Sequence, residues 1–160
     1  MNSLEFTIYG EAVPQGSMKA YIPKGWRRPI LTSDNPRLKS WRQLVADGAQ
    51  RAIMALPASE RGVLLEGVRL TVAFYLPRPK SLPRRVTANT KKPDIDKCVR
   101  SILDSLSSVV FADDSQVVEL VATKQYAAEM PHVDICVEPT AGCQPVVVPP
   151  APLPLLEAVR

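Results

Sequence analysis

Leu4, Phe6 and Ile8 alternate with polar neighbours, a period-two pattern that predicts a half-buried strand over residues 4–9. Val68, Leu70, Val72, Phe74 and Leu76 alternate in the same way with Arg69, Thr71, Ala73 and Tyr75. That strand is expected to begin near Val63, with a break at Gly67. Leu38, Trp41, Leu44, Val45, Ala49 and Ala52 recur at three- and four-residue steps and predict a helix running to about Leu56. Ser33-Asp34-Asn35-Pro36 gives its start signal, a capping side chain just ahead of proline. Ile95, Cys98, Val99, Ile102, Leu103 and Leu106 form the inward stripe of a second helix over residues 95–107. Residues 116–126 and 132–138 read as two antiparallel strands joined around Ala127–Pro131. Gly10 to Thr32, punctuated by Pro14, Gly16, Pro23, Gly25 and Pro29, reads as a long irregular connection, a kind that is often functional. The element order predicts an α+β fold: a small mixed β-sheet with two main helices packed on one face, in a single domain.

A chain of 160 residues that is 46% hydrophobic can bury one core. The domain is expected to span residues 1–138. From Pro139 onward the prolines crowd together, ending in Pro149-Pro150-Ala151-Pro152-Leu153-Pro154, so residues 139–160 read as a disordered or polyproline-like tail. No apolar run approaches the length of about 18 residues that spans a bilayer, and the N-terminus lacks the pattern of a secretion signal. Cys98, Cys136 and Cys143 show no paired spacing, which argues against a zinc ribbon or disulfide framework and fits a cytoplasmic protein. Cys98 and Trp41 read as core residues, and His132 as a surface residue rather than a ligand. No Ser/His/Asp set and no phosphate loop occurs, so a nucleophilic serine or a nucleotide cofactor has no support.

The net charge of +4 matters less than its distribution. Residues 12–33 carry Lys19, Lys24, Arg27 and Arg28 with no acid, and residues 78–92 carry Arg78, Lys80, Arg84, Arg85, Lys91 and Lys92 with no acid. Either stretch alone is an ordinary solvated loop. Together, with the second running straight into a group of aspartates, they point to a polyanion such as DNA. Lys19, Lys24, Arg27, Arg28, Arg84, Arg85, Lys91, Lys92 and Lys97 are the candidate DNA contacts.

The aspartates come in two pairs, Asp94/Asp96 before the second helix and Asp113/Asp114 after it. Each has a plain structural reading: Asp94 as a cap, Asp96 as a first-turn acid, Asp113 and Asp114 as turn residues. Asp96, Arg100 and Asp104 at steps of four can likewise form a local ion-pair ladder. Against this, Val109-Val110-Phe111 is expected to carry the chain back along the helix and bring the second pair beside the first. Converging carboxylates repel unless a cation lies between them. Magnesium, or manganese in its place, takes such oxygen ligands and retains waters and substrate phosphate. It would polarise a phosphoryl oxygen and activate a water for in-line attack on a phosphodiester. Asp94, Asp96 and Asp114 are the expected metal ligands, with Asp113 as the alternate, and Lys92, Lys97 and Arg100 are placed to hold the phosphate.

Pro93-Asp94-Ile95-Asp96, a helix closing in Leu103-Asp104-Ser105-Leu106, and Val110-Phe111-Ala112-Asp113-Asp114-Ser115-Gln116-Val117-Val118 before a strand ending in Lys124 together resemble the RusA family of Holliday-junction resolvases. The likeness is close over residues 91–126. It is looser over Pro14-Gln15-Gly16-Ser17, Asp34-Asn35-Pro36 and Lys39-Ser40-Trp41-Arg42, which resemble the phage and prophage branch. It implies a homodimeric, magnesium-dependent endonuclease that nicks four-way DNA junctions in pairs near the crossover, in recombination and repair. Its essential acids correspond to Asp94, Asp96 and Asp114, a further acid to Asp113 and the helix acid to Asp104. Lys97 stands where the family usually has asparagine, and Arg100 where it has a functional lysine. Arginine keeps the charge but not the compact ammonium. A two-fold dimer suits a four-way junction of approximate two-fold symmetry. The rival readings are a junction binder with little or no catalysis, a broader flap or fork nuclease, and an interaction protein working through its tail.

Overall fold

The computed structural model describes residues 3–140 apart from Ser17 and Asp34; the proline-rich stretch beyond, with Cys143, lies outside the described residues. Six strands and two helices form: β1 (Leu4–Tyr9), β2 (Met18–Tyr21), β3 (Ile30–Ser33), α1 (Leu38–Ala55), β4 (Val68–Leu76), α2 (Ile95–Leu106), β5 (Val117–Tyr126) and β6 (His132–Pro139). The main sheet has the order β1-β6-β4-β5. Strand β4 runs parallel to β5 and antiparallel to β6, and β1 pairs antiparallel with β6. A parallel pair needs a crossover, and α2 provides it between β4 and β5.

The alternation in β4 carries the core. Val68, Leu70, Val72, Phe74 and Leu76 are all buried on one face, joined by Val133, Ile135 and Val137 of β6. Both helices cover that face, through Trp41, Val45 and Ala49 of α1 and Cys98, Ile102 and Leu106 of α2. Gly48 lets α1 lie close on β1, since a Cβ there would sit 2.1 Å from Ile8 Cδ1. Trp41 and Cys98 are core residues, and the Trp41 indole N–H donates to Ser101 Oγ at 3.3 Å. The α+β architecture, with a mixed sheet and its helices on one face, is the one the apolar pattern predicts. No helix among the described residues is long and apolar enough to cross a membrane.

Several local expectations change. The connection from Gly10 to Thr32 contains the β2–β3 hairpin, whose strands pair with each other and not with the main sheet. Helix α1 starts at Leu38 rather than at Pro36, because Asn35 Oδ1 accepts from the Arg37 amide and the Asn35 carbonyl from the Leu38 amide, making a turn first. Leu44 lies at the margin of the apolar stripe and is 40% exposed. Residues 63–67 do not extend β4. Leu64 is drawn instead to the end of α2, donating to the Val110 carbonyl and accepting from the Ala112 amide. Strands β5 and β6 run in opposite directions but are not neighbours, since β4 lies between them.

Candidate active site

The basic loop leaves the carboxyl end of β4 and returns along the outer edge of β5. The Asn89 amide donates to the Lys124 carbonyl, and the Tyr126 amide to the Thr87 carbonyl. Lys124 then ties down the approach to α2: its Nζ donates to the carbonyls of Lys91 and Pro93, each at 2.7 Å. These bonds set Asp94 at the N-cap position of α2 and Asp96 in the first turn, both exposed. Asp94 accepts no capping bond from the helix backbone. Its Oδ2 lies 3.0 Å from Lys97 Nζ, and that hydrogen bond and charge hold the Asp94 carboxyl below its usual pKa. The Gln15 amide donates to the Lys97 carbonyl at 2.9 Å, bringing residues 11–16 over the same turn. Asp94, Lys92 and Lys97 open with Glu11 and Arg37 onto a cavity of about 400 Å³. Arg100 is exposed one turn further along α2, and Lys91 is exposed beside Lys92.

The second acidic pair does not return to this cavity. Past α2 the chain turns sharply at Ser108, with φ +64°, and buries Val110 and Phe111 completely against Leu64. That anchor lies at the carboxyl end of α2, and the few residues left before Asp113 cannot retrace the helix. Twelve helical residues rise roughly 18 Å, so Asp94/Asp96 and Asp113/Asp114 occupy opposite ends of α2. Among the described residues no three His, Cys, Asp or Glu side chains gather closely enough to hold a metal. The expected convergence is therefore not seen among the described residues of one chain, whose two acidic pairs stand apart at either end of α2.

The two members of the second pair differ. Asp113 is a structural cap: its Oδ1 accepts from the Ser115 amide at 2.9 Å, and hydrogen bonding from Ser115 holds its carboxyl below the usual pKa. Its own amide donates to Gln116 Oε1, closing a capping box. Gln116 Nε2 donates to the carbonyls of Leu64 and Glu66, clamping the turn against the 64–66 segment. Asp114, exposed in that turn, has no comparable tie among the described residues.

The remaining residues fall into place around these ends. Asp104 pairs with Arg42 of α1 rather than with Arg100, so the expected ladder along α2 gives way to a helix–helix contact. Arg84 and Arg85 are exposed in the basic loop. Lys24, Arg27 and Arg28 are exposed between β2 and β3 beside Trp26, which is 63% exposed, and Lys19 lies on β2. Reading the sequence alone missed the bracing bonds of Lys124 and Gln116 and the place of Arg37 on the cavity wall. For Lys124 and Gln116 the signal was present in their spacing from the aspartates, but their partners are backbone carbonyls that no residue pattern reveals.

The sequence model of the family described as Endodeoxyribonuclease RusA matches residues 11–138. The chain is also similar to the Bacillus subtilis (strain 168) protein named "Uncharacterized protein YqaN", 30% identical over 147 residues, covering 86% of this chain and 96% of that protein. The matched segment takes in both acidic pairs, the basic loop and the whole β4–α2–β5 crossover, and this chain belongs to the RusA endodeoxyribonuclease family.

Proposed function

We propose that this protein is a homodimeric, magnesium-dependent endonuclease that resolves four-way DNA junctions by paired nicks. The observation that carries the proposal is the exposed Asp94/Asp96 pair at the start of α2, set among Lys91, Lys92, Lys97 and Arg100 in a chain of this nuclease family. In this reading the cations hold phosphate, Asp96 is open to a cation of higher charge, and Asp94 gives up its Lys97 partner to that cation.

The separation of the acidic pairs supports the dimer. Strand β5 is an edge strand, and its exposed Val118, Leu120 and Val121 are unusual for a solvated edge. Two copies of β5 meeting antiparallel about a two-fold axis near Leu120 would set Asp114 of one copy beside the Lys124 and Asp94 end of the other. Each metal site would then take Asp94 and Asp96 from one copy and Asp114 from its mate, and opposed sites would face opposed strands of the junction.

A weak or inactive junction binder is the second reading, favoured by the Lys97–Asp94 ion pair at 3.0 Å, where the lysine already neutralises one ligand. Incubating the protein with a synthetic mobile four-way junction, a flap and a fork at one salt concentration, with and without magnesium, separates these readings. The expected result is magnesium-dependent symmetric nicking of the junction in preference to the flap and fork. Asp94→Asn and Asp114→Asn should each abolish nicking and keep junction binding. Binding without nicking by the wild-type protein would support the second reading, and equal cutting of all three substrates a broader nuclease.

A further inference from the structure

The helices cover one face of the main sheet, and the other face ends in a row of aromatic rings. Tyr9, His132, Tyr75 and Gln125 are successive register partners across β1, β6, β4 and β5. The His132 ring lies nearly flat on Tyr75, with centroids 4.1 Å apart and planes 12° apart, and Tyr9 is tilted against it at 6.0 Å. His132 Nδ1 is bonded to the Met130 carbonyl at 2.8 Å, which fixes the ring's orientation. Tyr9 nevertheless remains 66% exposed. Beyond the row lies a cavity of about 810 Å³ that Arg78 and Arg84 also line. The Arg78 guanidinium sits 5.4 Å above the Tyr126 ring and donates to the Pro83 carbonyl. That volume lies in the range of small-molecule and cofactor pockets.

Charge decides how far a nucleic acid can extend over this face. The next rows carry Asp134, Glu5 and Glu138, and Arg69 is already engaged by Glu119 and Glu138. A phosphodiester chain running along them would meet carboxylates, so only the aromatic end with its arginines suits it. That row lies on the opposite face from the candidate active site but at the same end of the sheet: Gln125 and Tyr126 follow Lys124, whose Nζ holds the Pro93 carbonyl just before Asp94. We infer that the Tyr9–His132–Tyr75 row and its cavity form a subsite for one unstacked DNA base, with Arg78 and Arg84 holding its flanking phosphate. The inference rests on the reading of this chain as a DNA-processing protein and adds to it a base-recognising site outside the aspartates. Stacking on an exposed ring accepts any base, and Glu129 on the cavity wall offers an acceptor for an exocyclic amino group.

The test compares binding, without magnesium, of a single-stranded oligodeoxycytidylate of about ten nucleotides and an abasic strand of equal length, which keeps the phosphates and removes the rings. The wild-type protein is expected to prefer the base-bearing strand by about tenfold. Tyr9→Ala should abolish most of that preference, Tyr9→Phe should retain it, and Arg84→Ala should weaken both strands alike. Equal affinity of the wild-type protein for the two strands, or full preference in Tyr9→Ala, would overturn the subsite. Asp94→Asn should keep the preference whole. Junction nicking without any base preference therefore counts against the subsite alone, and base preference without nicking counts against the nuclease reading alone.

Discussion

Two lysines act on the segment that carries Asp94, and they act differently. Lys97 contacts the carboxylate itself at 3.0 Å and lowers its pKa, so any incoming metal has to compete with an ammonium. An exposed ion pair is screened by solvent, so exchanging it is a modest effect. Lys97→Asn should therefore lower the magnesium concentration for half-maximal nicking by about two- to fivefold, read from a metal titration of junction cleavage. The sign of the pH effect follows from the same contact. Asp94 ionises more readily folded than unfolded, so its small contribution to stability is present above the ordinary carboxylate range and is lost as pH falls through the folded value. Lys97→Asn should move the Asp94 titration upward in a carboxyl NMR experiment. Among the described residues Lys124 forms no ion pair with a carboxylate; its charge adds a little to the lowering of the Asp94 pKa, and it bonds the carbonyls that lead into Asp94. Lys124→Met should cost about 1–3 kcal/mol in denaturant unfolding and reduce nicking by more than the lost stability explains. The lysines were visible in the sequence as charge. Which one pairs with a carboxylate and which one braces a loop depends on carbonyl positions that charge patterning does not encode.

At the scale of elements, legibility followed burial. Strand β1, strand β4 from Val68 and helix α2 each have one deeply buried face, so their apolar periods stood out along the chain. The β2–β3 hairpin pairs only with itself and is four residues long on each side, too short for an alternating period to stand out, so its strands were hidden among the prolines and glycines around them. The turn carrying Asp113 and Asp114 was found, but its direction was misjudged. Val109-Val110-Phe111 was expected to carry the chain back along α2, but Val110 and Phe111 are a core anchor that stops the chain at the end of the helix. Gln116 holds that turn through three hydrogen bonds, at 2.9, 3.2 and 2.9 Å. Gln116→Ala should cost about 1–3 kcal/mol by denaturant unfolding and lower nicking through misplacement of Asp114, while base preference in single strands stays unchanged.

At the scale of the whole molecule, the fold class was legible and the sheet order was not. Alternation says which face of a strand is buried but not which strand lies beside it, so β4 between β5 and β6 emerged only from the register. That same order makes β5 an edge and sets the two acidic pairs at opposite ends of the crossover helix. The proposed metal site takes acids that stand far apart in one chain and so calls for a second copy, and mixing inactive variants tests that proposal directly. Asp94→Asn and Asp114→Asn protein, each inactive alone, should regain magnesium-dependent nicking of a four-way junction after mixing and subunit exchange, because each mixed dimer holds one site with every acid intact. Both variants inactive alone and no recovery in mixtures shown to contain mixed dimers would contradict the account.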